Sequence, residues 1–435
     1  MPDPASAVQA GDGEATGRMS RPSGRRRWVV CALLFLAITI NYIDRQIIGV
    51  LKPVLSDHFG WSEIDYGNIV FWFQAAYAVG LLTVGRLLDA VGTRIGLAVS
   101  VAVWSVAAMA HGAAGAVSQF AMARFALGLG EAGGYPAAIK AVSEWFPKRE
   151  RALAAGILNA GANLGAVATP ILAPLIVLAF GWRAAFVVTG TLGLIWLLVW
   201  WMTYRRPADD PRLEVAERAW IESDPIDPPG RTSWRELIRR RHAWAFILAK
   251  FLTDPVWWLF LFWLPDFFAK TYGLNLLTFG PALVVVYLLA DAGSIGGGWM
   301  SSRLIERGWS VDRARKGTLL VCALCVMPLS LAIFAENLFA AVAVIGLAAA
   351  AHQGWSANLF TLVSDVFPRR DVATVVGMGG FAGAVGGMFI AKLAGWTLET
   401  TGSYVPLLLM ASVAYLVGLG VIQLLAPERA AMRVG

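Results

Sequence analysis

Apolar windows of about twenty residues recur along the whole chain, each long enough to cross a bilayer as a helix. No other feature narrows the fold as much. Backbone in hydrocarbon must satisfy its own hydrogen bonds, and within a single segment only a helix does so. Composition agrees: 57% of residues are hydrophobic and 15% charged, where an ordinary soluble domain has about a quarter charged. The expected fold is an all-α membrane protein. We place twelve transmembrane helices in two six-helix bundles, at roughly 28–51, 66–87, 95–114, 117–141, 150–177, 183–203, 243–268, 277–301, 317–335, 338–363, 371–395 and 402–425. Pro170 and Pro174 interrupt the fifth. Prolines are tolerated in such helices where neighbours satisfy the freed carbonyls.

The net charge of +7 does not point to nucleic acid, because the basic residues fall in alternate loops. Arg25, Arg26 and Arg27 precede span one. Arg86 and Arg94 lie between spans two and three, and Lys148, Arg149 and Arg151 between four and five. Arg239 to Arg241 precede span seven, and Arg313, Arg315 and Lys316 precede span nine. The opposite loops carry little beyond Lys52, Arg183, Lys270 and Lys392. This asymmetry predicts both termini in the cytoplasm. Residues 1–27 read as a disordered N-terminus, 28–203 and 243–425 as the bundles, and 426–435 as a tail. Residues 204–242 form a polar connector, with short amphipathic helices expected at 212–222 and 233–241. The first apolar stretch is too long for a signal-peptide core and reads as a retained helix. Cys31, Cys322 and Cys325 all fall in apolar stretches and read as packing residues.

A six-plus-six plan is shared by a large class of secondary transporters, whose halves rock about a site at the midplane. Between spans two and three runs Gly85-Arg86-Leu87-Leu88-Asp89-Ala90-Val91-Gly92-Thr93-Arg94. It resembles the signature loop of the major facilitator superfamily, with Ala90 where a basic residue is usual. Gly85, Asp89, Gly92 and Arg94 are the expected gating residues. A weaker echo, Gly298 to Leu304, has Ser302 in the aspartate's place, so an asymmetric latch is expected. Gly161 and Gly165 in span five, and Gly379, Gly383 and Gly387 in span eleven, are spaced for close helix packing.

Charges inside the apolar windows mark the site. Ionisable side chains in a spanning helix are costly and face a polar cavity or a partner. Asp44 and Arg45 lie adjacent in span one, about 100° apart around the helix. Arg45 offers a planar fork suited to a carboxylate. Asp44 suits proton uptake and release where desolvation disfavours its charged form. In span four, Arg124 and Glu131 are seven residues apart on one face. They form either a static pair or a carboxyl group that alternates between protonated and ionised. The glycines around them and Pro136 are expected to bend or thin the helix.

Neutral groups add a sugar-like lining: Gln74 and Tyr77 in span two, Asn159 and Asn163 in span five, Trp257 and Trp258 in span seven, and Tyr287 in span eight. Span ten brings His352, Gln353, Trp355, Ser356 and Asn358, of which Gln353 and Asn358 are the favoured members. Trp258 faces either the cavity or lipid. His352 is either a proton carrier or a fixed, hydrogen-bonded histidine. Asp254 and Asp291 are further buried acids, and Lys250 lies one turn before Asp254, a spacing that allows pairing. No His, Cys or carboxylate cluster has metal-ligand spacing, so neither metal nor cofactor is expected. No catalytic triad, phosphate loop or haem motif appears, which argues against an enzyme.

These runs together resemble the anion:cation symporter branch of the major facilitator superfamily, and within it the hexuronate transporters. The resemblance covers nearly the whole chain. It is carried by Asn41-Tyr42-Ile43-Asp44-Arg45, Arg124 through Pro136, Ser143-Glu144-Trp145-Phe146-Pro147, Lys250 through Trp258, and His352-Gln353-Gly354-Trp355-Ser356-Ala357-Asn358. It implies that Asp44 and Glu131 carry coupled protons, that Arg45 and Arg124 hold or sense a substrate carboxylate, and that Tyr42 and Tyr77 shape the cavity. The expected activity is proton-coupled import of a sugar acid, a hexuronate such as glucuronate or galacturonate, by a monomer in the bacterial inner membrane. The branch also takes galactonate, glucarate and other organic anions. An exporter of the same fold is the remoter alternative.

Overall fold

The computed structural model describes residues 24–223 and 233–427, except the side chains at 89, 152, 369, 370 and 373. The expectations for the disordered N-terminus up to residue 23, and for the tail from 428, lie outside the described residues. Fourteen α-helices follow one another among those described. The first bundle holds α1 (Arg26–Phe59), α2 (Glu63–Ala113), α3 (Val117–Glu131), α4 (Gly134–Trp145), α5 (Lys148–Phe180) and α6 (Trp182–Thr203). The connector carries α7 (Val215–Ile221) and α8 (Trp234–Ile238). The second bundle holds α9 (Arg241–Tyr272), α10 (Phe279–Glu306), α11 (Val311–Val326), α12 (Leu338–Val366), α13 (Arg369–Thr401) and α14 (Val405–Leu425).

Local chemistry sets the ends. α1 stops at Gly60, whose φ of 66° suits a residue without Cβ, and its N–H returns to the Ser56 carbonyl. α2 starts on a capping box in which Ser62 and Asp65 exchange backbone-to-side-chain bonds at 3.1 Å. The helix then runs on through two membrane spans, kinked at Gly92 (φ 79°). α11 passes into a 3-10 turn, Met327–Phe334, at Pro328.

Eleven of the described helical stretches are long and apolar enough to cross a membrane. The remaining expected span, the fourth at 117–141, bends at the glycines near Pro136 rather than running as one regular helix. It is broken between Glu131 and Gly134 into helices of 15 and 12 residues. Pro136 has no N–H to give the Ala132 carbonyl, and close packing fixes where the helix lies. A Cβ on Gly128 would lie 2.3 Å from the Phe73 carbonyl, and one on Gly130 2.7 Å from the Trp104 nitrogen. α3 therefore sinks against the backbone of α2, and its end at Glu131 sits inside the bundle.

The connector is tied to the first bundle. Glu217 of α7 accepts the backbone N–H groups of Arg26 and Arg27, both at 3.1 Å, and so caps the start of α1. Arg27 reaches Glu217 at 2.8 Å and Glu150 of α5 at 2.9 Å, while Arg26 reaches Asp210 at 2.9 Å. Between the bundles, α1 packs on α9, α2 on α13 and α5 on α10. The closest approaches lie at the end away from the connector. There a Cβ on Gly67 would stand 2.6 Å from the Ala391 carbonyl, and one on Gly395 2.7 Å from that of Glu63.

Candidate functional site

The four ionisable groups read from sequence come from α1 and α3, and the structure buries them together. Asp44, Arg45, Arg124 and Glu131 are each at most 4% exposed. Arg45 Nε donates to Glu131 Oε2 at 2.7 Å, and its Nη2 donates to Asn41 Oδ1 at 3.1 Å. Arg124 turns both terminal nitrogens onto the carbonyl of Arg45, each at 3.1 Å. The ion pair thus crosses between helices, joining Glu131 to Arg45 and not to Arg124 on its own helix. Glu131 is the last residue of α3, and the Arg45 guanidinium is the charge that compensates its carboxylate.

Aromatic faces surround the cations. The Arg45 guanidinium lies 4.7 Å from the Tyr42 ring, 5.0 Å from Tyr77, and 5.7 Å from both Phe73 and Trp258. Arg124 lies 5.5 Å from Phe73 and 5.9 Å from Phe262. Such contacts hold a desolvated cation by about 1–2 kcal/mol each. Trp258 and Phe262 belong to α9, where they stack on one another at 5.9 Å. Trp258 therefore faces this cluster, with 8% exposure.

Other expected residues divide. Asp44 has Thr189 of α6, Glu131 and Arg124 around it, but neither carboxyl oxygen has a hydrogen-bond partner among the described residues. Gln74 is fully buried with both amide atoms unpartnered. A Cβ on Gly387 would touch both Gln74 Nε2 and Trp258 Cδ1 at 2.9 Å, which places the glutamine where the two bundles meet. Asn159, on the exposed side of α5, accepts from Tyr135 Oη at 2.8 Å. Asn163 and Gln353 are half-buried.

Asn358 commits one edge of its amide to helix packing, while its Oδ1 has no partner among the described residues. Its amide nitrogen donates to the carbonyls of Gly297 at 3.0 Å and Gly354 at 2.9 Å, so it sews α12 to α10. His352 meets Tyr415 Oη at 2.5 Å and stacks on Trp257 at 5.1 Å, which is the fixed arrangement. Lys250 pairs with Asp254 at 2.8 Å, and Asp291 is half-buried. Among the described residues no cluster of three His, Cys, Asp or Glu is arranged to hold a metal ion.

The sequence reading missed three features. Gln46, in the same charged run as Asp44, is 1% exposed with its amide unpartnered. Lys52 was taken for a loop charge, yet it lies inside α1, fully buried, between Glu63 and Asp266, each at 2.7 Å. Third, the run Val142-Ser143-Glu144-Trp145-Phe146-Pro147 recurs as Val363-Ser364-Asp365-Val366-Phe367-Pro368. Glu144 accepts from Thr93 and Tyr204, both at 2.6 Å, and Asp365 accepts from Arg315 at 3.0 Å. That internal repeat, legible in the sequence, pairs the connector-end acids of the two halves.

This architecture has named relatives. The sequence model of the Major Facilitator Superfamily matches residues 34–391. The chain belongs to that superfamily. The hexuronate transporter of Escherichia coli (strain K12) is 32% identical over 416 residues, covering 94% of this chain and 96% of that protein. The galacturonate transporter of Dickeya chrysanthemi is 33% identical over 279 residues, 63% of this chain and 81% of its own. Among solved structures, a bacterial homologue of the human lysosomal transporter Spinster, inward-facing and occupied, superposes with a TM-score of 0.70. It is 20% identical, over 93% of this chain and 96% of that one, and so speaks to fold alone.

Of the superfamily's signature loop, Gly85 and Gly92 lie on α2, and Gly85 has open space around it. Arg94 donates to the Trp201 carbonyl at 2.6 Å and lies over the Trp201 ring, which ties it to α6 of its own bundle. The Asp89 side chain lies outside the described residues. In the second half Ser301, one residue before the expected Ser302, accepts from Arg315 at 2.7 Å.

Proposed function

We propose that this chain imports a sugar-acid anion, most simply a hexuronate, together with protons across the bacterial inner membrane, by alternating access. The connector end faces the cytoplasm, because the basic loops lie there. One observation carries the reading: a buried arginine at the centre of the molecule, held by one carboxylate at 2.7 Å and by little else that is charged. Protonating Glu131 removes its charge and frees the Arg45 fork for another carboxylate, so proton and substrate bind together. Asp44, buried beside Thr189 and in no ion pair among the described residues, is the second proton-carrying acid. Arg124 holds the Arg45 backbone in place and adds positive charge for the anion. Gln74 and the aromatic faces of Tyr42, Tyr77 and Trp258 meet the hydroxyls and C–H faces of the sugar. Relatives named for hexuronate and galacturonate support the substrate class. The relative named for D-galactonate, 27% identical over 91% of this chain, keeps an aldonate as the second reading.

The test is uptake into proteoliposomes under an imposed proton gradient, against a panel of uronates and aldonates. Concentrative uptake of glucuronate or galacturonate, abolished by a protonophore, is expected. Uptake that ignores the gradient would refute proton coupling.

Two further outcomes follow from the geometry. Gly67→Val puts a branched side chain where a single carbon already meets the Ala391 carbonyl at 2.6 Å. Overpacking of this kind costs about 1–3 kcal/mol, so the state in which this end is sealed loses population and uptake falls about tenfold. Normal uptake by this variant would show that the seam is not used in the cycle. Gln74→Ala is expected to raise KM about tenfold, the loss of a hydrogen bond or two to substrate. Asn358→Ala instead lowers thermal stability by about 1–2 kcal/mol with KM within about twofold. Melting curves and uptake kinetics on the two variants separate these roles.

A further inference from the structure

At the end away from the connector, four charges of alternating sign close a ring between the bundles. Lys52 of α1 and Glu63 of α2 come from the first half, and Asp266 and Lys270 of α9 from the second. Lys52 Nζ contacts Glu63 Oε2 and Asp266 Oδ2, both at 2.7 Å. Lys270 contacts Asp266 at 3.1 Å and also pairs with Glu63. Tyr404, at the head of α14, donates to Asp266, and Glu399 of α13 accepts the Glu63 N–H at 2.8 Å. Lys52 is wholly buried and Asp266 is 3% exposed. Every cation in the ring faces one acid of each bundle.

The ring lies in line with the charged site. On α1, Arg45, Gly49 and Lys52 share a face, at i, i+4 and i+7; on α9, Trp258, Phe262 and Asp266 share one, at i, i+4 and i+8. The two faces are laid against each other. Trp258 covers Arg45, and Phe262 covers Arg124. A Cβ on Gly49 would lie 2.8 Å from the Leu261 carbonyl, and the Phe262 carbonyl accepts from Tyr66 Oη at 2.8 Å. Asp266 then meets Lys52. At each of these positions between the buried arginines and that end of the protein, the two bundles touch.

We propose that Lys52, Glu63, Asp266 and Lys270 form the outer latch of the transporter, which must part before substrate reaches Arg45 from the periplasm. The proposal rests on the orientation given above, with the connector end in the cytoplasm. The ring suits the task because of its burial. Closed, each buried charge has partners of opposite sign; a buried charge left alone would be strongly destabilising. Open, only the Lys52–Asp266 and Lys270–Glu63 contacts part, and each cation keeps the acid of its own bundle, so the separated state is not penalised by an orphan. Weakening the ring therefore moves the resting population toward the state open at this mouth, and the apparent affinity for external substrate rises with that population.

The experiment reads mouth opening directly. In a chain whose Cys31, Cys322 and Cys325 are alanine, Ala391→Cys places a thiol in the seam under the latch, where Ala391 is fully buried. A membrane-impermeant maleimide is added outside intact cells. Lys52→Met and the milder Asp266→Asn, in which Lys52 keeps Glu63, are each expected to speed labelling about fivefold or more and to lower the external KM while reducing the maximal rate. The double variant should label more slowly than the product of the two single effects, because both remove the Lys52–Asp266 contact. Unchanged labelling in both single variants would overturn the latch. Leu277→Cys, exposed in the α9–α10 loop, is the orientation control. If it does not label from outside, the orientation is wrong, and the same comparison is then made on inverted vesicles, where the faster labelling of the latch variants still decides the proposal.

Discussion

Replacing Glu131 with glutamine is expected to reduce gradient-driven accumulation about 100-fold while leaving substrate exchange across the membrane within about threefold of the parent. Glutamine keeps the shape and an oxygen that accepts from Arg45, but it carries no charge and takes up no proton. Arg45 is then permanently free of the acid that holds it at 2.7 Å, so the site stays in its substrate-ready form on both sides. The difference between an ionic and a neutral partner of a buried guanidinium is about 2–3 kcal/mol, which corresponds to the expected factor. Proteoliposome uptake at several external pH values checks it. If the variant still concentrates substrate with the parent's pH dependence, Glu131 is not the coupling acid.

Arg45→Lys is expected to lower kcat/KM for the anion about 10- to 100-fold with the protein still folded. A lysine keeps the positive charge but replaces a planar fork by a point charge. It reaches Glu131 or Asn41 and then has no second edge for a carboxylate. Losing charge-assisted hydrogen bonds of this type costs about 1.5–3 kcal/mol. Folding is spared because Arg124 binds the backbone carbonyl of residue 45, which the substitution leaves in place. Transport kinetics with a parallel melting curve distinguish the two losses. Transport within about twofold of the parent would show that the fork does not read the carboxylate.

Much of this was legible in the chain. Apolar windows locate the spans because backbone facing lipid must satisfy its own hydrogen bonds, which within one segment only a helix does. Asp44, Arg45, Arg124 and Glu131 stand out because charge is rare there. Their pairing did not stand out. Sequence spacing links Arg124 to Glu131 on one helix, whereas the bond runs to Arg45 across helices, a choice made by how deeply the glycines at 128 and 130 let α3 sink. Asn358 reads as a sugar ligand because an asparagine in a span needs partners; its amide nitrogen finds them in the carbonyls of Gly297 on α10 and Gly354 on its own helix. Lys52 was invisible for the opposite reason. A lysine near a proline at a helix end looks like a solvated charge until the other bundle supplies Asp266.

All four charges of the buried cluster sit on α1 and α3, and among the described residues the second bundle meets them through the flat rings of Trp258 and Phe262. On the proposed function, the proton-carrying acids and the carboxylate-reading arginines are thus lodged in one half of the molecule, and the other half lends the site an aromatic wall. An engineer seeking a transporter for a new sugar acid can vary that wall on α9 as a library while the acids and arginines on α1 and α3 are left untouched.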